Sequence, residues 1–235
     1  MKVVIFAGGL GSRLGTMTQH KPKPLLEIQK EPLIKYLLDI FLKQKFKDFL
    51  ILTGYKSKKI EEYFKKNKKK YLDCSIKILN TGVNTCTGKR LKLAKKYLPE
   101  RFILSYSDGL ANVNLKKLIN FHLKKKKLIT VTAVRPPARF GELFVAGTKV
   151  IKFKEKQQMK RGWINGGFFV LNKKFLSLIP NKNIMFEREP IFNATKKGQL
   201  YAYKHRDFWQ CVDTIRDYEI LKDLVKKKKF LWLNY

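Results

Sequence analysis

Acidic side chains are scarce in this sequence: 18 Asp and Glu face 52 Lys and Arg, which leaves a formal charge of +34. Cysteine is scarcer still. Cys74, Cys86 and Cys211 are odd in number, far apart, and lack the paired Cys-x-x-Cys or His-x-x-x-His spacing of a zinc site, so they read as ordinary thiols. Histidine is limited to the scattered His20, His122 and His205, and none is given a catalytic role. Long apolar runs are missing as well. Lys2 precedes only Val3 to Ala7 before Gly8 and Gly9, too short for a secretory segment, and no later run approaches membrane-spanning length. A soluble cytoplasmic protein with no membrane partner is expected.

The positive excess lies mostly in lysine runs, such as 68–70, 124–127 and 226–229, and makes phosphate-bearing partners plausible. Runs of one sign are usually solvated faces, however. A nucleic-acid binder would set Arg and aromatic residues on one stripe or in a helix-turn-helix or RNP pattern, and neither is found, so nucleic acid is not an expected partner. A non-catalytic nucleic-acid-binding protein built on an α/β domain is the rival from another class, supported by the charge alone.

With 235 residues and 44% hydrophobic content, the chain can build one sizeable core, and a single domain over 1–235 is expected. Val3-Val4-Ile5-Phe6 is a continuous apolar run closed by Gly8-Gly9, the pattern of a strand buried on both faces of a parallel sheet. Pro32 can start a helix whose apolar positions Leu33, Tyr36, Leu37, Ile40 and Phe41 recur at three and four, and a second buried strand follows at 49–52. Helices near 58–64, 91–98 and 115–123 then alternate with strands near 75–79, 102–105 and 128–134. The fold expected is α/β, a doubly wound, mostly parallel sheet, with ligands at the strand C-termini. After Pro136-Pro137 the pattern loosens into short strands near 150–153 and 164–171 and helical stretches near 186–195 and 215–224, read as a smaller mixed α/β C-terminal cap.

Gly8-Gly9-Leu10-Gly11-Ser12-Arg13 follows the first strand. Its glycines let backbone N–H groups approach a triphosphate closely, and Arg13 can clamp phosphate oxygens. The dinucleotide fingerprint fails because Leu14 stands where its third glycine belongs, and no Walker loop is present. A tight structural turn explains a glycine-rich loop equally well. Lys21-Pro22-Lys23-Pro24 holds two cations on an extended stretch, suited to phosphate or, equally, to a surface linker.

Together, Gly-Gly-x-Gly-Ser-Arg-Leu and the following Lys-Pro-Lys-Pro resemble the signature of the sugar-1-phosphate nucleotidyltransferases, a family with a Rossmann-like fold. Within it the resemblance runs furthest toward the glucose-1-phosphate cytidylyltransferases. It is carried by Asn84 to Leu91, Pro136 to Gly141, Gly162 to Val170, Ala202 to His205 and Phe208 to Asp217, and so covers nearly the whole chain. The resemblance implies transfer of a nucleotidyl group from a nucleoside triphosphate, CTP first, to a sugar 1-phosphate, glucose 1-phosphate first, giving CDP-glucose and pyrophosphate. The same chemistry with another triphosphate or phosphorylated acceptor is the alternative.

It also implies roles. Asp108 and Asp213 would hold Mg²⁺, where a cap or turn would otherwise be the reading of each. Phe6, Ala7, Gly8, Gly9, Leu10, Gly11, Ser12, Arg13, Lys23, Thr85, Arg90 and Ser107 would surround the nucleotide, with Arg13 and Lys23 catalytic. Thr85 reads equally as a loop hydroxyl and Arg90 as a solvated helix-start residue. Lys156, beside Glu155, would neutralise the acceptor's phosphate, and Asn165 and Gly166 would meet its sugar. On this basis residues 1–134 form a nucleotide-binding half and 135–235 an acceptor-binding half of one domain, in a homo-oligomer. Trp163, Phe168, Phe169, Phe208 and Trp209 are assigned to the core. The chain departs from the family at Gln157, at Ser107 and in a short connection over 65–74.

Overall fold

Where every residue of a strand is apolar, both of its faces must be covered, and β1 (Val3–Ala7) is buried from end to end. The structure is a computed structural model that describes residues 1–136, 142–154 and 162–235. A 3-10 stretch at Ser12–Thr18, a short one at Lys23–Leu25 and a small hairpin of β2 (Glu27–Ile28) and β3 (Glu31–Pro32) lead into α1 (Leu33–Lys43). There follow β4 (Asp48–Thr53), α2 (Ser57–Lys66), β5 (Ser75–Asn80), α3 (Thr87–Leu93), β6 (Arg101–Tyr106), β7 (Gly109–Ala111), α4 (Leu115–Lys125) and β8 (Ile129–Val134). The second half supplies β9 (Glu142–Ala146), β10 (Lys149–Lys154), β11 (Ile164–Asn172), α5 (Glu189–Lys196), β12 (Leu200–Lys204), β13 (Trp209–Cys211) and α6 (Ile215–Lys226).

Seven strands form the central sheet in the order β12-β8-β11-β6-β1-β4-β5. All neighbours run parallel except β11, which is antiparallel to both β6 and β8. Alternate side chains of the sheet feed two cores. Val3 and Ile5 pack with Leu37, Phe41, Ile60, Leu118 and Leu221, which places α1, α2, α4 and α6 on one face. Val4 and Phe6 pack with Leu91 and Ala194, which places α3 and α5 on the other. This is the doubly wound α/β arrangement that the alternating apolar runs imply.

The C-terminal half divides. β11 and β12 enter the central sheet, so both halves share its cores, whereas among the described residues β9 pairs with β10 and β13 with β7, outside that sheet. The helix expected near 91–98 starts earlier, as α3, and ends in a 3-10 turn at Lys95–Tyr97. The helical stretch expected near 186–195 is α5, which starts at Glu189 and so carries Pro190 in its first turn, where no intrahelical N–H is needed. Among the described residues no helix is long and apolar enough to cross a membrane.

Candidate active site

The loop after β1 is shaped by what lies beneath it. Arg90, on α3, is 3% exposed, and its guanidinium donates to the carbonyls of Thr53 (2.7 Å), Gly8 (3.0 Å) and Val83 (3.3 Å) and to Thr81 Oγ1. A Cβ on Gly8 would stand 2.3 Å from the guanidinium carbon, and one on Gly54 would stand 2.6 Å from Nη1. Glycine at both positions is what admits the arginine. Arg90 therefore ties the C-terminal ends of β1 and β4 to the loop after β5, and burial pushes its pKa below the ordinary value. The solvated helix-start reading of Arg90 is wrong: the side chain lies inward, where the carbonyls of Thr53, Gly8 and Val83 and the Thr81 hydroxyl converge on its guanidinium. Gly11 takes φ 71°, and its carbonyl receives Leu14 N–H (2.9 Å) and Thr18 Oγ–H (3.1 Å).

Asp108 follows β6 and Asp213 follows β13. The antiparallel pairing of β13 with β7 sets Cys211 opposite Gly109, and Val212 N–H donates to the Asp108 carbonyl at 2.9 Å. Two short strands thus bring together carboxylates far apart in the chain. Lys23 Nζ bridges them, 2.5 Å from Asp108 Oδ2 and 2.7 Å from Asp213 Oδ1, while Arg13 Nη1 lies 2.8 Å from Asp213 Oδ2. Burial works to lower the Lys23 pKa, but the charge and hydrogen bonds of Asp108 and Asp213 outweigh it and raise the value. Burial works to raise Asp213, and Lys23 and Arg13 together hold it below the usual carboxylate range.

Between the two aspartates, the ammonium occupies the position of a cation bound by two hard oxygens. Among the described residues no group of three or more His, Cys, Asp or Glu could enclose a metal. Two carboxylates facing one cation suit a hard divalent ion.

Two cavities meet at this pair. One, of about 560 Å³, is lined by Phe6, Ala7, Gly8, Gly9, Leu10, Gly11, Ser12, Arg13, Lys23, Thr85, Arg90 and Ser107, so all twelve residues expected around a nucleotide are brought together. Thr85 donates its hydroxyl to the Thr81 carbonyl at 2.6 Å while facing this space. The other, of about 740 Å³, contains Asn165 and Gly166. Arg13, Tyr106, Asp108, Met185 and Asp213 belong to both walls. Lys156, like Glu155, lies outside the described residues.

Residues 2–227 match the family described as Nucleotidyl transferase. The chain belongs to that family. It is 37% identical to the glucose-1-phosphate cytidylyltransferase of Salmonella typhimurium, over all of this chain and all of that one. It is 33% identical to the D-glycero-alpha-D-manno-heptose 1-phosphate guanylyltransferase of Aneurinibacillus thermoaerophilus, covering 86% of this chain and 89% of the other. The crystal structure of HddC from Yersinia pseudotuberculosis superposes with a TM-score of 0.75 at 25% identity, covering 95% of this chain and 99% of that one.

In this nucleotidyltransferase the larger cavity holds the residues that the sequence reading passed over. Trp209, assigned to the core, does pack against it but is only partly buried: its indole N–H donates to the Gly166 carbonyl at 2.8 Å and its ring also lines the cavity. Trp163 is likewise only partly buried, with the Arg135 guanidinium 4.7 Å above its ring. Phe208 is partly buried against Trp232, while Phe168 and Phe169 are core residues as expected. The strand register of β11 slips between Asn165 and Phe169, at Gly167 with φ 84°, and this irregularity turns Asn165 toward the cavity. Asn165 Oδ1 accepts Gly167 N–H at 2.8 Å, so the side-chain amide group is left to face Tyr106 and the open space. Glu187 and Tyr106 carried no sequence signal beyond an ordinary acid and an ordinary strand aromatic.

Proposed function

We propose that this nucleotidyltransferase transfers CMP from CTP to glucose 1-phosphate, forming CDP-glucose and releasing pyrophosphate. The observation that carries the reading is the junction of two cavities at one cation–carboxylate cluster, Lys23 and Arg13 on Asp108 and Asp213. Full-length similarity to a glucose-1-phosphate cytidylyltransferase supports the choice of substrates. The smaller cavity takes the triphosphate, with the backbone of Gly8 to Ser12 against its phosphates, and the larger takes the sugar 1-phosphate.

The acceptor's phosphate oxygen is already anionic near neutral pH, so no side chain has to remove a proton. That oxygen attacks the α-phosphorus in line, a new P–O bond forms, and the bond to the β-phosphate oxygen breaks with its electron pair going to pyrophosphate. Catalysis is then positioning and charge stabilisation. Lys23 and Arg13, held at the cluster before substrate arrives, stabilise the charge that collects on the departing pyrophosphate. Asp108 and Asp213 would hold Mg²⁺, which when bound neutralises charge on the reacting phosphates.

Pyrophosphate release with CTP, UTP, dTTP, GTP and ATP, each crossed with a panel of sugar 1-phosphates and Mg²⁺, tests this. Release with CTP and glucose 1-phosphate well above every other pair is expected. Another productive pair would keep nucleotidyl transfer and replace the substrates, and silence throughout would sink the proposal.

A further inference from the structure

One carboxylate on the wall of the larger cavity has no part in the mechanism above. Glu187 precedes α5, and its two oxygens are used differently. Oε1 accepts the Tyr106 hydroxyl at 2.6 Å, and Oε2 accepts the Thr87 hydroxyl at 2.7 Å. Thr87 in turn accepts Phe186 N–H at 2.8 Å, which fixes its hydroxyl as a donor toward Glu187. On the other side Asn165 Nδ2 donates to the Tyr106 oxygen at 3.3 Å. Every proton in this chain therefore points one way, toward the carboxylate. Burial first, and then the Glu187 charge and hydrogen bond, push the Tyr106 pKa up, so the phenol keeps its proton.

A carboxylate has room for about four hydrogen bonds, and among the described residues two donate to this one. Among those residues, what Glu187 adds to the cavity wall is acceptor capacity. That chemistry suits a neutral ligand rich in hydroxyl donors, and it repels phosphate. It favours an orientation in which the acceptor's hydroxyls go to Glu187 and its anionic end points away from that carboxylate, toward the junction with the nucleotide cavity.

We infer that Glu187 is a specificity-determining residue for the acceptor, accepting a sugar hydroxyl directly and orienting Tyr106 beside it. The inference rests on the larger cavity being the sugar 1-phosphate site. It extends to the nucleotide side as well, because Thr87 is the first residue of α3, the helix that carries Arg90 beneath Gly8. Glu187 thus holds the acceptor wall and the nucleotide wall in one hydrogen-bonded piece.

Glu187→Gln keeps the size of the side chain but sets an amide donor against either the Tyr106 or the Thr87 hydroxyl, and it removes the excess acceptor capacity. The experiment compares kcat/KM for glucose 1-phosphate with that for its 2-, 3-, 4- and 6-deoxy analogues, in the wild type and in Glu187→Gln and Tyr106→Phe, with thermal unfolding as a check on folding. A site that hydrogen-bonds a substrate hydroxyl rejects the analogue lacking it strongly, and the wild type should reject at least one analogue by about a hundredfold or more. In Glu187→Gln that one ratio should shrink below about tenfold, mainly through a raised KM for the full sugar, while discrimination at the other positions holds. Tyr106→Phe should weaken the same discrimination.

Unchanged discrimination in both folded variants, or a uniform fall in kcat across all five sugars, overturns the inference and leaves the proposed function standing. A wild type that turns over no sugar 1-phosphate overturns both. If Glu187→Gln does not fold, the result of Tyr106→Phe decides.

Discussion

A single ammonium is shared by two carboxylates. Lys23 neutralises Asp108 and Asp213 at 2.5 and 2.7 Å, and its side chain is only 12% exposed. Were Asp108 and Asp213 to hold a divalent ion, Lys23 would be free to meet phosphate. Two consequences separate this arrangement from a passive ion pair. Asp108→Asn and Asp213→Asn should each cut kcat by about a hundredfold or more, the usual cost of losing one preorganised charge contact, with the fold intact. Lys23→Met should lower kcat on the same scale and also enlarge the rise in melting temperature that Mg²⁺ produces, because the facing carboxylates then have no other close cation but Arg13. Turnover kinetics and thermal unfolding with and without Mg²⁺ measure both; an Mg²⁺ effect on melting no larger in Lys23→Met than in the wild type would refute the exchange. These residues were legible through the motifs that carry the family resemblance, since alone Asp108 and Asp213 read as a turn or a helix cap and Lys23 as one lysine among many. Glu187 was not, since nothing local distinguishes an acid whose partners are 81 and 100 residues away in the chain.

At the level of elements, the placement of Asp213 depends on the helix that follows it. Thr214 caps α6: its hydroxyl accepts Asp217 N–H at 3.2 Å, and Asp217 Oδ2 accepts the Thr214 N–H at 2.9 Å and the Asp213 N–H at 3.2 Å. The capping box therefore fixes the backbone of a candidate metal ligand as well as the helix start. Thr214→Ala should cost about 1 kcal/mol of stability. If the cap also aims Asp213, activity at a temperature where the variant is fully folded should still fall and should recover partly at high Mg²⁺; full activity there would confine the cap to stability. Legibility at this scale follows pattern length. β1, α1, β4, α2, β6 and α4 carry apolar runs or three-and-four spacing long enough to read. β7 and β13 are three residues each and owe their pairing to one another, so no periodicity announces them. β12 and β9 were passed over, and the insertion of β11 antiparallel between β6 and β8 is a choice of neighbours, which local sequence does not encode. Trp209 packs against the core as assigned, but its second role was not legible: an aromatic beside a strand looks like core alone until the partner strand turns its edge to a cavity.

For the molecule as a whole, charge and burial act on stability in the same pH range and can be told apart. The formal charge of +34 strains the compact state by self-repulsion, which salt screens. His122, on α4, is 2% exposed, with Nδ1 3.0 Å from Thr130 Oγ1, and burial, helped by nearby Arg101, lowers its pKa to about 4. Unfolded, the same imidazole titrates near its ordinary 6.5. Between these values the unfolded chain binds the proton and the folded one does not, so this group's contribution is complete above about pH 6.5 and is lost as pH falls toward 4. A difference of that size corresponds to roughly 3 kcal/mol by pH 4, and only part of it is lost by pH 5. Asp213, held below the carboxylate range, loses its own contribution only at lower pH and does not confuse the window. Melting at pH 7 and pH 5, in low and high salt, should therefore show a fall on acidification that salt recovers in part. The salt-resistant remainder belongs to a buried group. It should disappear in His122→Asn, whose amide can still meet Thr130 but does not titrate; a remainder as large in that variant as in the wild type would mean that the acid sensitivity resides elsewhere.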